Sequence, residues 1–337
     1  MNTNRILLSH GSGGKLTHSL IREIFLKEFR NEILEPLSDS AVFRVKEGRL
    51  AYTTDSYVVD PIFFPGGDIG RLSVCGTVND LAMSGAKPLY LSASFIMEEG
   101  LLVAALMAIL KSMKEAANEA GVKIVCGDTK VVSKGAADKI FITTSGLGLI
   151  PEGVEISPTQ IRPGDGVILS GPIGDHGIAI LSQREGLAFS SSISSDAAPL
   201  NHLVASILDE AGDGIHALRD PTRGGLATTL NEFTHEADFG IRIYEEKIPV
   251  RDSVKGACEL LGLDSLYMAN EGKLVAVTSR DSSKKVLSCM KRNSLGVDAE
   301  IIGEIIKEPA GIVSLVTRLG GTRILDMQTG EQLPRIC

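Results

Sequence analysis

The chain has 337 residues, 43% of them hydrophobic, which is enough to bury a large core and, by length, to form two domains. Its formal net charge is −8 and no basic cluster is long enough to track a phosphate backbone, which argues against a nucleic-acid partner. The five cysteines, at 75, 126, 258, 289 and 337, are odd in number and share no CxxC spacing, which argues against a disulfide framework and a zinc knuckle and fits a reducing cytoplasm.

Met1-Asn-Thr-Asn-Arg5 leads into a short apolar run with no signal-peptide core, and the most apolar helix candidate, 101–110, is too short to span a bilayer, so no membrane association is expected. A glycine cluster follows, His10-Gly11-Ser12-Gly13-Gly14-Lys15, and Leu16, Leu20, Ile21, Ile24 and Phe25 then recur at helical spacing. A glycine-rich loop opening into a helix can offer its backbone N–H groups to a phosphate at the positive end of the helix dipole, or it can be a flexible loop; one such cluster does not separate the two. Short strands are expected over 41–45, 50–54 and 57–59, with Asp39 and Asp55 at their edges. Ile69, Leu72, Val78 and Leu81 predict a helix over 69–82, closed by Gly85 and carrying Asn79 and Asp80 near its end. A strand over 89–95 precedes a helix over 101–120, with Leu102, Leu106, Ile109 and Met113 on one face and Gly121 as its stop. A buried strand over 122–126 ends in Gly127-Asp128-Thr129, Lys134 lies in the next loop, and 139–150 is a further strand.

Residues 151–163 hold three prolines and read as a link, giving a first domain over 1–150, a second over 160–325 and a mobile tail over 326–337. The second half starts with a strand over 166–170 and the turn Gly171-Pro-Ile-Gly174-Asp175-His176-Gly177, which opens a helix. The serine-rich stretch 189–199 reads as a surface loop and 202–211 as a helix. Arg219-Asp-Pro-Thr-Arg-Gly-Gly225 leads into a helix through 233. Met268-Ala-Asn-Glu271-Gly272 precedes a strand over 273–278, 282–292 is helical, and 311–316 is the last clear strand. Both halves mix strands with long helices, so two α+β or α/β units are expected.

Asp39, Asp55, Asp80 and Asp128 have a common local setting, each beside a small or polar residue and mostly at a predicted strand end. Magnesium takes hard oxygen ligands, usually one or two carboxylates plus substrate phosphates. Aspartates at strand ends also simply make turns. Asp80 stands apart, because it falls where the helix is otherwise apolar and a buried carboxylate needs a partner or a metal. There is no GxxxxGK[ST], so an ordinary P-loop is excluded. At the other end, Pro334-Arg-Ile-Cys337 carries a thiol on a segment whose 12 residues, from Asp326, span at most about 40 Å. Such a tail can enter a pocket on its own domain, be offered to a partner, or be a frayed end; docked and extended states are both open. The other four cysteines lie in apolar contexts and read as core thiols, and His176, between glycines, reads as a loop residue.

The motifs His10-Gly-Ser-Gly-Gly14, Thr53-Thr-Asp-Ser56, Val78-Asn-Asp-Leu-Ala82, Gly127-Asp-Thr-Lys-Val131, Ser170-Gly-Pro-Ile-Gly-Asp-His-Gly177, Arg219-Asp-Pro-Thr-Arg-Gly-Gly-Leu226, Asn270-Glu-Gly272 and Pro334-Arg-Ile-Cys337 together resemble the HypE family of hydrogenase maturation factors. That family lies in the PurM-like superfamily of aminoimidazole ribonucleotide synthetase, selenophosphate synthetase and thiamine-phosphate kinase. The resemblance spans nearly the whole chain; the internal motifs mark the superfamily and the cysteine-ended tail marks HypE. It implies a two-domain PurM-like α+β fold, a homodimer formed through the first domain, and ATP with Mg2+ in a cleft. It implies that HypF carbamoylates Cys337, that ATP drives dehydration of the thiocarbamate to a thiocyanate, and that the cyano group passes to iron on a HypC–HypD complex. By the same resemblance, Cys337, Lys134 and Glu271 are catalytic; Gly11, Ser12, Gly13, Gly14, Asp55, Asn79, Asp80, Asp128 and Thr129 bind nucleotide; and Asp39, Asp55, Asp80 and Asp128 hold metal. The alternatives are another ATP-using enzyme of the superfamily, such as a selenophosphate synthetase, although residues 9–15 lack its reactive cysteine, or a non-catalytic thiol carrier.

Overall fold

The computed structural model describes residues 4–7, 10, 19–35, 48–186, 193–327 and 335–337. The glycine cluster Gly11–Gly14, Asp39 and the strand expected over 41–45 lie outside the described residues. Among the described residues no helix is long and apolar enough to cross a membrane.

Among the described residues the first sheet has four strands, β1 (Arg49–Tyr57), β2 (Lys87–Glu98), β3 (Lys123–Val132) and β4 (Ile140–Ile150), in the order β1-β4-β2-β3. All pairs are antiparallel except β2 with β3, which need a crossover and have one in helix α2 (Val103–Ala120). Strand side chains alternate between the two faces. On β1 the odd positions, Thr53, Asp55 and Tyr57, turn toward helix α1 (Ile69–Met83), and the even positions are open. The open face exposes Leu50, Tyr52 and Ile96 at 47, 71 and 41%.

Helix α1 starts where Asp68 accepts the Gly70 and Arg71 N–H groups at 2.7 and 2.9 Å. It is buried nearly all round, which is why its sequence is apolar or small on every face rather than amphipathic. Its polar members are satisfied internally: Thr77 Oγ1 lies 2.6 Å from Thr144 Oγ1, and Thr144 Oγ1 donates to the Ser73 carbonyl at 2.8 Å. Gly76 lets the helix sit on Tyr57, since a Cβ there would fall 2.3 Å from the phenol oxygen.

Among the described residues the second sheet has seven strands: β5 (Gly166–Leu169), β6 (Ile215–Arg219), β7 (Gly240–Tyr244), β8 (Val275–Thr278), β9 (Glu300–Ile306), β10 (Val313–Val316) and β11 (Thr322–Ile324), in the order β11-β10-β7-β9-β5-β8-β6. Only β10 with β7 is parallel. Its helices are α3 (Asp175–Arg184), α4 (Asn201–Ala211), α5 (Gly225–Thr234), α6 (Asp252–Leu261) and α7 (Arg280–Lys291). Val167 and Leu169 pack toward α5, and Ile168 packs toward α4 and α7, so both faces of β5 are buried. Ala82 and Met83 of α1 belong to the same cluster as α4 and α7, so the end of α1 is part of the second unit's core.

Several expectations need correction. The strand expected to stop at 126 runs on to Val132, because Gly127 lets β3 lie against β2; a Cβ there would meet the Ala93 carbonyl oxygen at 2.5 Å. Leu102 precedes α2 and is exposed, so the buried stripe is Leu106, Ile109, Leu110 and Met113. The described part of the serine-rich stretch is no surface loop: Ile193, Ala197 and Ala198 are buried. Strands β7 and β9, helix α6 and the final β11 had no counterpart in the sequence pattern.

Gly76→Ala tests the α1 seat. Helix propensity favours alanine by about 1 kcal/mol. Overpacking against buried Tyr57 outweighs it, so a net loss of about 1–2 kcal/mol is expected in urea unfolding.

Candidate active site

The cleft between the two units is organised by the end of α1. Asn79, fully buried there, donates to the carbonyls of Ala198 and Glu271 at 3.1 and 3.2 Å and accepts the Leu200 N–H at 2.8 Å. Its amide is thus spent on the backbone of the second unit. Asp196, in the same segment as Ala198, accepts the backbone N–H groups of Glu271 and Gly272 and pairs with Lys273 Nζ at 3.0 Å. Burial works against the Asp196 charge, but Lys273 and these hydrogen bonds outweigh it and hold the carboxyl below its ordinary range. The chain is pinned closely here, since a Cβ on Gly272 would fall 1.9 Å from the Asp196 carbonyl oxygen.

Carboxyls crowd the cleft wall. Asp80 Oδ2 accepts the Thr53 hydroxyl at 2.8 Å, and its acidity is weakened by burial and then by Asp55, against help from Arg219 and Arg223. Part-buried Asp220 is pushed up to about 7 by burial first and Asp80 next. Glu271 is almost fully buried and raised well above its ordinary value by burial, then by Asp220, Asp196 and Asp55, with Arg223 opposing. Asp55 therefore bears on Asp80, Asp220 and Glu271 together. Such crowding of hard oxygen groups favours proton uptake or a cation. Among the described residues no three His, Cys, Asp or Glu side chains form a ready-made metal cage.

Residues 335–337 lie in this cleft, docked rather than extended. Arg335 Nη1 donates to Asp138 Oδ2 at 2.7 Å and Arg335 Nε to the Val58 carbonyl at 2.8 Å. The Asp60 N–H donates to the Arg335 carbonyl, and the Val58 N–H to the Cys337 carbonyl, at 3.2 and 3.0 Å. His176 Nε2 lies 2.8 Å from the Ile336 carbonyl, which can only accept, so Nε2 carries the proton. Burial keeps this imidazole neutral, and Nδ1 accepts from the Ser195 hydroxyl at 2.8 Å. Ile336 is buried in the first unit's core and Cys337 packs against it. The Cys337 thiol is pushed up to about 12, by burial first, then by Glu271, with Arg223 opposing and Asp55 adding.

The structure brings together Asp55, Asp80, Glu271 and Cys337 of the residues expected from sequence. It does not bring Asp128 to them within one chain. Asp128 pairs through Ser94 and Thr143 to Ser56, three strand spacings or roughly 14 Å across the sheet, and alternation puts it on the open face, away from Asp55. Exposed Asp128 pairs with Lys130 at 2.9 Å, which lowers its pKa. Thr129 points to the covered face. Lys134 is exposed at the tip of the β3–β4 loop whose far end, Asp138 and Lys139, holds Arg335 and Asp60. Arg223 is the cation that opposes the rise at the thiol. Sequence patterns alone missed Asp220, Arg223, Asp196 and Lys273, and left His176 aside. The one available signal was the pair of arginines flanking Asp220 ahead of Gly224 and Gly225.

The family of AIR synthase related proteins matches this chain twice, its N-terminal domain over residues 37–150 and its C-terminal domain over 162–316. The carbamoyl dehydratase HypE of Bradyrhizobium diazoefficiens is 53% identical over 330 residues, covering 98% of this chain and 95% of that protein. The crystal structure of hydrogenase maturation protein HypE in complex with ATP superposes with a TM-score of 0.94 at 50% identity, covering 98% of this chain and 99% of the other. HypE in the crystal structure of a HypE–HypF complex matches at 52% identity and a TM-score of 0.81, covering 92% of this chain and all of that one.

Asp220 gives a signed prediction. Its folded pKa of about 7 lies above the ordinary 3.8, so between those values the folded state binds more protons and stability falls as pH rises. Asp220→Asn should gain melting temperature over the unsubstituted protein as pH climbs from about 4 to about 8, with no gain below about 4, where both states are protonated.

Proposed function

This chain belongs to the HypE family of carbamoyl dehydratases, and we propose that it uses ATP to dehydrate an S-carbamoyl group on its own Cys337 to an S-cyano group. The observation that supports this is the seating of Cys337 in a cleft walled by Glu271, Asp55 and Arg223. A thiol pushed up to about 12 is protonated and a poor nucleophile there. The docked site is thus suited to a sulfur already modified elsewhere, and the segment must leave to be loaded.

The amide oxygen of a thiocarbamate leaves poorly as hydroxide. Its attack on the γ-phosphorus of ATP releases ADP and one N–H proton and leaves the oxygen as a phosphate ester. The C–O bond then breaks, phosphate departs, the second N–H proton leaves, and C≡N forms. Water must be kept from the activated carbon, a task to which buried Ile336 and the core-packed Cys337 are suited. Glu271 is the proton acceptor in this reading, since a carboxylate with a raised pKa is a stronger base once ionised. Lys134, on the loop that grips Arg335, is assigned to polarise the amide oxygen. Asp55 and Asp80 would hold Mg2+ together with phosphate oxygens, with Asp39 as a further candidate and Asp128, on the open face, left out of the set; when bound, the ion would neutralise charge on the transferring phosphoryl group. Gly11, Ser12, Gly13, Gly14 and Thr129 are assigned to the nucleotide, while Asn79 shapes the cleft through backbone contacts.

HypF is the proposed source of the carbamoyl group, as a related HypE forms a complex with it. A HypC–HypD complex is the proposed acceptor of the cyano group. The open face of the first sheet, with Leu50, Tyr52 and Ile96 exposed, supports a homodimer. A working thiol at Cys337 requires a reducing compartment such as the cytoplasm.

Full-length protein carbamoylated at Cys337 should lose the mass of one water from its C-terminal peptide on addition of Mg–ATP, with one ADP and one phosphate formed. A thiol carrier would show no ATP-dependent loss. The rate should rise with pH as Glu271 ionises, and Glu271→Gln should slow it by about 100-fold or more and flatten the profile. Asp80→Asn should cut ATP turnover by about tenfold or more; turnover equal to the unsubstituted protein would displace the metal site. Tyr52→Glu should yield monomer in light scattering if the open face is the dimer contact.

A further inference from the structure

We infer that Asp138 is a positioning residue for the docked segment: it holds the Arg335 guanidinium and so makes arginine the side chain preferred there. The inference deepens the proposed function, on which it rests only for the modification of Cys337.

Every carbonyl of the segment has a donor. The Arg335 carbonyl receives the Asp60 N–H at 3.2 Å and Arg184 Nη2 at 2.9 Å. The Ile336 carbonyl receives His176 at 2.8 Å, and the Cys337 carbonyl the Val58 N–H at 3.0 Å. Carbonyls 335 and 337 meet the chain that continues β1 beyond Tyr57, and carbonyl 336 meets helix α3. Main-chain hydrogen bonds thus hold the segment, and side-chain contacts choose it. Arg184 links the two, donating through Nε and Nη2 to the Asp60 carbonyl at 2.9 and 2.7 Å as well as to the Arg335 carbonyl.

Backbone contacts alone accept many sequences. Ile336 needs only to be apolar. Arg335 is selected: its guanidinium donates in two directions, to Asp138 and to the Val58 carbonyl, and stacks 5.9 Å from the Phe141 ring centroid. A lysine ammonium has no planar fork with which to do this. Arg335 also sits at φ +53°, a left-handed conformation that a non-glycine residue keeps only when its surroundings hold it. Anchoring Arg335 there sets the position of Cys337, two residues on, against Glu271. Asp138 is thus a positioning residue. Lys139 also faces it at 3.4 Å, but Lys139 is shared with Asp60 at 2.9 Å.

The test is peptide-resolved alkylation of the full-length protein by iodoacetamide. Buried Cys75, Cys258 and Cys289 serve as internal controls for an intact fold. Asp138→Ala and, separately, Arg335→Asp should speed Cys337 labelling by about three- to tenfold, the size expected of a half-exposed ion pair plus a directed hydrogen bond. The swapped pair, Asp138→Arg with Arg335→Asp, restores the ion pair but not the Val58 hydrogen bond or the Phe141 contact, so it should bring labelling at least about twofold back below the Arg335→Asp rate, which general loosening of the loop would not do. Labelling at the unsubstituted rate in both single variants, or no recovery in the swap, would overturn the inference. Alkylation needs neither ATP nor a carbamoyl group, so failure of the dehydration reading and failure of this one are separately visible.

Discussion

The cleft depends on one buried side chain doing backbone work across a domain boundary. Asn79 satisfies two carbonyls and one N–H of the second unit from the last turn of a helix rooted in the first. Those groups are buried, so none can turn to water instead, and each left unmet costs about 1–3 kcal/mol. The helix end is also apolar core for the second unit through Ala82 and Met83. The two halves therefore cannot separate at this point without losing hydrogen bonds and apolar burial together. Asp80, the next residue, and Glu271, whose carbonyl Asn79 holds, are fixed relative to one another by the same contact.

That fixed spacing forces acids together. Asp55, Asp80, Asp220 and Glu271 come from separate elements of both units, and two arginines are the principal opposing charges. The resting cleft answers by taking up protons. A cation and phosphates entering it would redistribute those protons, and Glu271, one of the raised carboxyls, is the one nearest in influence to the sulfur. Asp196 shows the contrary case in the same cleft: equally buried, it remains ionised because Lys273 and two N–H groups surround it.

Much of this was legible in the sequence where a local rule applied. Helix α1 and α2 showed their apolar spacing and their glycine stops, Gly85 and Gly121, which take φ of 75 and 72°. The aspartates proposed for a metal stand out by their small polar neighbours, but a strand's two-residue alternation decides which face each one reaches, and it separates Asp128 from Asp55 because β3 continues past Gly127. Asp196 was hidden because serine-rich composition suggests exposure, whereas its segment is buried by contacts more than 70 residues away in sequence. His176 looked like a loop residue because the carbonyl it serves lies 160 residues on. Non-local partners of this kind leave no periodic trace.

The docked segment from Arg335 to Cys337 also limits how this chain can change over time. Its carbonyls alternate between two sides, so adding or deleting one residue between the arginine and the sulfur would exchange the carbonyl that meets Val58 with the one that meets His176. The distance between anchor and cargo is therefore quantised in steps of two, and drift in length must be absorbed upstream of the arginine.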